Sequence, residues 1–267
     1  MNKYEKLEAL KKYLLDQKKV CVAFSAGVDS TFLLNVAFDT LGECATAVTA
    51  RSHSFPSREL DASISFCKER GIKQIIIDSD ELSVEGFSSN PPNRCYLCKK
   101  ALFSKMLDLA AKEGLGKVVE GSNVDDEGDY RPGLQAIKEL SIDSPLRKVC
   151  LSKSEIRQLS KEMGLPTFNK PSFACLASRF VYGETITIDK LKMVEQAEQF
   201  LIDLGIEQVR VRIHGLSARI EMPPSQFGLA LERAGEINEE LKALGFTYVS
   251  LDLGGYKTGH MNKSLGR

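Results

Sequence analysis

The chain has 267 residues, of which 43% are hydrophobic and 27% charged, a composition typical of a folded protein with a substantial buried core. Lys and Arg together number 36, as do Asp and Glu, so the formal net charge is zero. That balance argues against non-specific nucleic-acid binding through counterion release, although a local basic groove stays compatible with it.

The N-terminal segment, residues 1–19, alternates charged residues with Leu7, Leu10, Tyr13 and Leu14. This spacing predicts an amphipathic helix and not a signal peptide, because a signal peptide needs a continuous apolar segment. No apolar run in the sequence reaches the length of a membrane span. We therefore expect a cytoplasmic protein without a membrane partner, whose seven cysteines are thiols or metal ligands and not disulfides.

A short polar stretch follows the first apolar run. Val20–Phe24 is predicted to be a buried strand, Ser25-Ala26-Gly27-Val28-Asp29-Ser30 a tight loop, and Thr31–Phe38 a helix. A loop between a strand and a helix N-terminus gathers backbone N–H groups around an anion, so the stretch predicts a phosphate site. Gly27 would let the backbone approach a phosphate, and Asp29 would orient the loop or hold Mg²⁺. An ordinary turn with a serine N-cap is the alternative.

The same stretch lacks the lysine of a Walker A loop. It resembles the S-G-G-x-D-S loop of the ATP pyrophosphatases, or PP-loop enzymes, which adenylate a substrate and release pyrophosphate. Ala26 replaces the first glycine of that pattern, a departure that matters only if the residue needs a positive φ.

Strand and helix patterns alternate through the next hundred residues. Strands are predicted at Cys44–Ala50, Lys73–Asp78 and Lys117–Glu120, and helices at Ser57–Arg70 and Leu102–Lys112. This alternation predicts an α/β domain with a parallel sheet and helices on both faces. Ligands of such sheets lie beyond the carboxyl ends of the strands, where polar loops follow at Arg51–Pro56 and at residues 121–126.

The loop Gly121-Ser122-Asn123-Val124-Asp125-Asp126 resembles a G-[ST]-N-x-x-D segment of the same superfamily. Its carboxylates would bind Mg²⁺ or orient the ribose and phosphates, and a solvated acidic turn through Asp129 is the alternative. Arg131, which follows, is a candidate phosphate partner.

A second pattern follows in the C-terminal part of the chain. Residues 144–146 are predicted to break the chain before a helix at Ser152–Met163, whose capping box pairs Ser152 with Glu155. Beyond a loop-rich joint at 167–185, the predicted elements are a helix at Ile188–Leu204, strands at Gln208–Ile213 and Ala218–Glu221, a helix at Ser225–Leu244 and a strand at Thr247–Leu253. We therefore expect a PP-loop domain at 1–170 and a smaller α+β domain at 171–267 that binds substrate or oligomerises.

Three cysteines stand in chemically suggestive surroundings. Cys95-Tyr96-Leu97-Cys98 opens a predicted helix, whose positive end favours thiolates. Cys175 lies among small residues, with Arg179 four positions on. Three thiolates can hold a 4Fe–4S cluster with one open iron, but spacing alone leaves zinc, a regulatory disulfide or a buried structural thiol open. The other cysteines are expected to be buried structural residues: Cys21, Cys44, Cys67 and Cys150.

Taken together, these segments resemble the LarE family, ATP-dependent sulfur transferases that build the nickel-pincer nucleotide cofactor of lactate racemase. The resemblance covers nearly the whole chain. It is carried by Ala23–Ser30, the loop Ala50-Arg51-Ser52 with Pro56 and Glu59, Glu120–Asp126, Pro171–Arg179, Arg210-Val211-Arg212 and the tail Leu251–Asn262.

The resemblance implies a reaction. A carboxylate of pyridinium-3,5-biscarboxylic acid mononucleotide is adenylated, a cysteine-bound sulfur displaces AMP, and repetition gives the bis-thio product. In members with one cysteine, matching Cys175, the protein gives up its own sulfur and keeps dehydroalanine. This chain also carries Cys95 and Cys98, and so resembles the three-cysteine branch, in which a 4Fe–4S cluster carries the transferred sulfur.

Together with the residues themselves, the resemblance to the family implies a site. Mg²⁺ is assigned to Asp29, and ATP to Ala23, Ser25, Gly27, Asp29, Ser30, Arg51, Gly121, Asn123 and Asp125. The substrate is assigned to Tyr96, which would stack on the nucleotide, and to Ser178, Arg179, Glu198, Arg210 and Arg212, and the catalytic residues are Cys95, Cys98, Cys175 and Asp29. The two strand arginines suit a phosphate monoester, with a solvated strand face as the alternative, and Glu198 could instead lie on a helix surface.

Three other functions compete with this one. A tRNA 2-thiolation enzyme of the superfamily would need a basic RNA-binding surface, which the zero net charge argues against. An amide-forming ATP pyrophosphatase would not need the three cysteines. A nucleotide- or redox-sensing binding protein would show no ATP turnover. The expected partners are the mononucleotide, a sulfide donor, other nickel-pincer biosynthesis proteins and further copies of the chain, with no nucleic acid.

Overall fold

The structure is a computed structural model that describes residues 1–126, 132–171 and 173–257. The chain divides into two compact units. The first unit comprises Met1–Glu81 and Asn93–Phe173, and the second comprises Leu82–Pro92 and Ala174–Arg267. The proposed division at 170/171 differs from these units chiefly at Leu82–Pro92, which groups with the second unit.

The first unit is built on a four-stranded parallel sheet in the order β3-β2-β1-β4. Its strands are β1 (Val20–Ala23), β2 (Ala45–Arg51), β3 (Gln74–Asp78) and β4 (Lys117–Val119). Its helices are α1 (Lys3–Gln17), α2 (Val28–Leu41), α3 (Ser57–Arg70), α4 (Arg94–Lys112), α5 (Pro132–Glu139), α6 (Pro145–Lys148) and α7 (Lys153–Glu162).

Helices cover both faces of this sheet because neighbouring strand residues point to opposite sides. Val20 and Val22 of β1 pack into one apolar cluster with residues of α1, α2, α3 and α7. Cys21, between them, packs into a second cluster with residues of α4 and α5. The α/β fold with a parallel sheet, predicted from the alternation of strands and helices, is confirmed.

The second unit contains a three-stranded sheet in the order β5-β6-β7. Its strands are β5 (Arg210–His214), β6 (Ser217–Glu221) and β7 (Tyr248–Leu251), and its helices are α8 (Ile188–Asp203), α9 (Phe227–Glu232) and α10 (Ala234–Ala243). β5 and β6 form an antiparallel hairpin, and β7 pairs with β6 in parallel. The buried face of α8 repeats at helical spacing, at Leu191, Val194, Ala197, Glu198 and Leu201.

Two local predictions were wrong. The single helix expected at Ser225–Leu244 is interrupted at Arg233, where the backbone leaves the helical region with φ −104° and ψ 18°. Gly228 and Gly235 weaken a continuous helix here, by about 1 kcal/mol each relative to alanine. The break expected at residues 144–146 is instead the start of α6, because Pro145 occupies a first-turn position where its missing N–H costs no hydrogen bond.

Two of the four cysteines expected to be buried are exposed. Cys44 lies in a short turn before β2, and Cys150 follows α6 with a positive φ of 58°. Cys21 and Cys67 are buried as expected, and burial raises the pKa of each thiol to about 12. None of the helices in the described ranges combines the length and apolar character needed to cross a bilayer.

Candidate functional site

The loop after β1 is closed on itself by its two serines. The Ser25 N–H donates to Ser30 Oγ over 3.3 Å, the two hydroxyls lie 3.1 Å apart, and Ser30 Oγ donates to the Gly27 carbonyl. α2 begins at Val28, three residues earlier than predicted, so Ser30 lies in its first turn. The first-turn N–H groups of a helix have no partner within the helix, so this loop can receive an anion.

The loop after β4 lies directly against this helix N-terminus. A Cβ atom on Gly121 would meet the Ser30 backbone nitrogen at 3.0 Å, so the approach requires glycine. Asn123 Oδ1 accepts from the Asp125 N–H, and the Asn123 N–H donates to Asp126 Oδ2. The predicted residues at the ends of β1 and β4 therefore form one continuous polar surface in the first unit.

Lys153 connects the two loops and was missed by the sequence analysis. Its Nζ lies 2.5 Å from Asp29 Oδ2, and its backbone N–H donates to Asp125 Oδ2 over 2.7 Å. The helix dipole disfavours a lysine in the first turn of a helix, where Lys153 lies. This unfavourable position was the one signal in the sequence that Lys153 binds an anionic group.

Asp29 carries an unsatisfied acceptor. Its Oδ1 is buried and has no hydrogen-bond partner within the described residues. Burial raises the pKa of Asp29, and the nearby Lys153 opposes that rise. Mg²⁺ is commonly held by one or two carboxylates together with substrate phosphates, so this oxygen fits the magnesium of an ATP complex.

The remaining predicted residues of the first unit have other partners. Arg51, at the end of β2, forms a two-point ion pair with Asp78, and this hydrogen bonding holds the pKa of Asp78 below its usual value. Tyr96 donates to Glu139 of α5 over 2.8 Å and accepts from Lys100. Ala23 is the last residue of β1. Their assignments to ATP and substrate stay predictions.

Cys95 and Cys98 lie in the first two turns of α4, and Cys95 is exposed. The guanidinium of buried Arg94 lies 3.7 Å from the Cys95 sulfur. Within the described ranges, no group of three or more Cys, His, Asp or Glu side chains is arranged to hold a metal ion. The geometry of these residues therefore does not supply a ready-made cluster site.

In the second unit, the loop that carries Cys175 wraps around the side chain of Arg179. This fully buried guanidinium donates through Nη1 to the carbonyls of Ala174 and Cys175 and to the Ser178 hydroxyl. Cys175 itself is exposed. The predicted positive charge of Arg179 thus lies beneath the cysteine, because the backbone turns back over it.

Glu198 of α8 fixes that guanidinium from the other side. Its two oxygens accept from Nε and Nη2 of Arg179, each over 2.7 Å, and Oε1 also accepts from the Val211 N–H. The side chain is fully buried, so the alternative of a helix-surface position is wrong. Burial alone would raise the pKa of Glu198, but the charge and hydrogen bonds of Arg179 outweigh it and hold the pKa below its usual value.

Arg210 and Arg212 of β5 are both buried, and a solvated strand face is wrong for them. Arg212 donates to Glu221 and, through Nη1, to the Ser178 carbonyl over 2.7 Å. Arg210 lies over the Tyr256 ring at 5.2 Å, and burial, followed by the charge of Arg179, lowers its pKa. The predicted residues Ser178, Arg179, Glu198, Arg210 and Arg212 thus belong to one connected network under the Cys175 loop.

The network carries more positive than negative charge among the residues that the structure describes. With the neighbouring pairs of Arg219 included, its cations are Arg179, Arg210, Arg212 and Arg219 and its carboxylates are Glu198, Glu221 and Asp252.

Breaking the Arg179–Glu198 pair should destabilise the second unit. We expect Glu198→Gln to lower the free energy of unfolding by about 3–5 kcal/mol, because the guanidinium would stay buried without its counter-charge. Glu162→Gln, which breaks the surface pair with Lys3, is the matched control and should leave the denaturant midpoint unchanged. Equal midpoints for the two variants would contradict the expectation.

The Arg179–Glu198 pair also makes the stability of the protein depend on pH. The pKa of Glu198 is lowered in the folded chain, so its stabilisation is present above the unfolded-state pKa and is lost as the pH falls through the folded-state pKa. The difference in unfolding free energy between wild type and Glu198→Gln should therefore shrink in acid.

Two predicted elements lie outside the described residues. These are Arg131, the candidate phosphate partner, and the tail beyond residue 257.

The chain is similar to known proteins over most of its length. It is 41% identical over 253 residues to pyridinium-3,5-bisthiocarboxylic acid mononucleotide synthase of Lactiplantibacillus plantarum, covering 94% of this chain and 92% of that protein. It is 42% identical over 262 residues to an uncharacterized protein of Synechocystis sp., covering 97% and 98%. One subunit of the glutamine-hydrolyzing GMP synthase from Pyrococcus furiosus is 27% identical over 226 residues, covering 78% and 70%. No protein-family model matches the chain.

Proposed function

The chain belongs to the LarE family of the PP-loop superfamily and is an ATP-dependent sulfur transferase, and from this premise we propose that it makes a pyridinium bis-thiocarboxylate mononucleotide. The observation that carries the proposal is 41% identity, over 94% of the chain, to a synthase of that product. The substrate is pyridinium-3,5-biscarboxylic acid mononucleotide, of which each carboxylate gains one sulfur.

The first step is adenylation in the first unit. A carboxylate oxygen of the substrate attacks the α-phosphorus of ATP, the bond to the β-phosphate breaks, and pyrophosphate leaves. The N–H groups in the first turn of α2, which have no acceptor within the helix, would donate to the departing pyrophosphate. Lys153 offers a cation at the same surface.

The buried Oδ1 of Asp29 is the proposed ligand for Mg²⁺ on the ATP phosphates. The metal, when bound, would withdraw charge from the phosphate oxygens as pyrophosphate departs. Asp29 is held in place by the ion pair of its Oδ2 with Lys153, and its Oδ1 would be available to a bound cation.

The second step is sulfur transfer. A cysteine-bound sulfur attacks the acyl carbon of the adenylate, the bond to AMP oxygen breaks, and AMP leaves with the electron pair. Where Cys175 supplies its own sulfur, a base then removes its α-proton, the Cβ–Sγ bond breaks, the thiocarboxylate leaves with the electron pair and dehydroalanine remains. Where a cluster would carry the sulfur, the Cβ–Sγ bond of Cys175 stays intact. Cys175 is the proposed catalytic sulfur because it is exposed and because Arg179 fixes its loop and supplies positive charge beneath it. A hydroxyl group in its place could not supply sulfur.

The phosphate of the mononucleotide is assigned to Arg210 and Arg212. Both lie at alternate positions of β5 and so on one face of the strand, and two guanidiniums on one face suit a phosphate monoester. Ser178 and Glu198 order the network under the Cys175 loop and are proposed to shape the substrate site.

A product assay tests the function. Protein supplied with ATP, Mg²⁺ and the dicarboxylate mononucleotide should release AMP and pyrophosphate and give a product in which mass spectrometry detects sulfur in place of carboxylate oxygen. Turnover with ammonia to an amide would favour the activity of the GMP synthase relative instead. Turnover that depends on tRNA would favour 2-thiolation, and absence of any turnover would overturn the proposal.

We also propose that Cys95, Cys98 and Cys175 bind a 4Fe–4S cluster as the sulfur carrier. The proposal rests on the three thiols and not on geometry, because the described residues hold no arranged metal-ligand group. Anaerobically purified protein should contain about four irons per chain with matching sulfide, the content that three thiolates support. Iron and sulfide analysis should show the loss of both in Cys95→Ala and their retention in the exposed-cysteine control Cys44→Ala. Colourless anaerobic protein that holds zinc would contradict it.

Several further assignments stay proposals. These are the homo-oligomeric and cytoplasmic state, a sulfide donor and other nickel-pincer biosynthesis proteins as partners, and ATP or substrate contacts of Ala23, Arg51 and Tyr96.

A further inference from the structure

The loop that receives the pyrophosphate contains a residue in an unfavourable backbone conformation. Ala26 has φ +53°, in the left-handed region that glycine adopts freely and that a residue with a Cβ atom adopts at a cost. The side chain is buried, so solvent contact does not explain the choice. Some interaction must hold Ala26 in this state, because the alternative conformations would move the N–H groups on either side of it.

The hydrogen bonds that close the loop hold the residues on either side of Ala26 but are not made by Ala26 itself. They join Ser25, Gly27 and Ser30, the residues that flank Ala26. The carbonyl of Ala26 instead accepts a hydrogen bond of 3.0 Å from Nζ of Lys170, a residue 144 positions away.

Lys170 is fixed at both ends. Its ammonium forms an ion pair of 2.6 Å with Glu59 of α3, whose side chain is only 5% exposed. Its backbone carbonyl accepts a hydrogen bond of 2.8 Å from Arg157 of α7, which also binds the Phe168 carbonyl. Because Glu59 and Arg157 hold Lys170 in place, its ammonium donates to the Ala26 carbonyl from a fixed position.

We propose that Lys170 is a positioning residue that locks the pyrophosphate loop through Ala26, with Glu59 as its anchor. The lock compensates for the missing glycine: it selects the left-handed conformation before ATP binds, so the loop does not have to be ordered by the nucleotide. The inference rests on the proposed use of ATP by this loop.

A double-mutant cycle tests the lock. The full-length variants are Lys170→Met, Ala26→Gly and the pair, with Lys11→Met, a surface lysine paired with Glu8, as the matched control. ATP affinity is measured by titration calorimetry without the carboxylate substrate, and the thermal midpoint is recorded for each variant.

Lys170→Met should raise the Kd for ATP by about tenfold in the wild-type loop, since the loop loses its preorganisation. In the Ala26→Gly background the same change should cost less than about threefold, because glycine adopts the conformation unaided. Lys170→Arg, which keeps a donor and a charge, should recover part of the affinity in the wild-type loop. Glu59→Gln should reproduce the loss and serves as the test if Lys170→Met does not fold.

Equal losses in both backgrounds would overturn the inference, because Lys170 would then act without Ala26. Unchanged ATP affinity in folded Lys170→Met and Glu59→Gln would also overturn it. Failure of the wild-type protein to bind ATP is a separate result, which would overturn the proposed function itself.

Discussion

Replacing Cys175 with serine should abolish thiocarboxylate formation while pyrophosphate release from the first adenylation persists. The hydroxyl keeps the size of the side chain and leaves the Arg179 hydrogen bonds to the loop carbonyls in place, but it carries no sulfur. We expect thio-product to fall by at least about 10³-fold, the scale seen when a covalent nucleophile is removed. Mass spectrometry of the product and a pyrophosphate assay on the same reaction measure the two steps separately.

The exposed residues Cys44 and Cys150 provide matched controls for this experiment. Serine at either position should leave both pyrophosphate and thio-product at wild-type levels. Thio-product formed by Cys175→Ser at the control rate would show that another group delivers the sulfur. Loss of both pyrophosphate and product would instead place Cys175 in the adenylation step.

Replacing Asp29 with alanine should abolish pyrophosphate release. The change removes the proposed Mg²⁺ ligand and leaves the Lys153 ammonium without its partner at 2.5 Å. Removal of one electrostatic group aimed at a transition state costs about 10²–10³-fold, and loss of the metal contact adds to it. Initial rates of pyrophosphate release over a range of Mg²⁺ concentrations should show that excess metal does not restore the variant.

Asp39→Ala, on the same helix, is the control for that substitution. Asp39 is half exposed and pairs with Arg70 at the far end of α2, so the control should retain the wild-type rate. Wild-type pyrophosphate release by Asp29→Ala would show that the loop assignment is wrong.

The ionisation of Asp29 also predicts the acid limb of the rate profile. Burial raises the pKa of Asp29, and the carboxylate form is the one that binds a cation. The rate should therefore fall at a higher pH than an ordinary exposed aspartate would give. The control Asp39→Ala should keep the same acid limb.

The local patterns of the sequence were sufficient for most elements of the fold. Helix α3 begins and ends where predicted, and the Ser152–Glu155 capping box forms as expected. The parallel sheet was predictable because strand–helix alternation leaves few other arrangements. The predictions were wrong at Pro145, which can break a helix or begin one, and around Gly235, where a glycine interrupts an otherwise helical pattern.

The sequence by itself determined which loops follow strands, and hence that Ser25, Asp29, Gly121 and Asn123 meet at one end of the sheet. That conclusion depends only on short-range periodicity and on the rule that parallel strands end together. The likeness of motifs likewise predicted a role for the Cys175 segment and for the strand with Arg210 and Arg212, but it did not reveal which side chains these residues contact.

Only the tertiary structure decided which charges neutralise one another. Lys153 reaches Asp29 across 124 residues, Lys170 reaches Ala26 across 144, and Glu198 fixes Arg179 from a different helix. Such pairs depend on how elements distant in the sequence pack together. The local sequence around a lysine does not indicate which carboxylate it will contact. The left-handed backbone of Ala26 was likewise invisible in the sequence, because alanine shows no local preference for it.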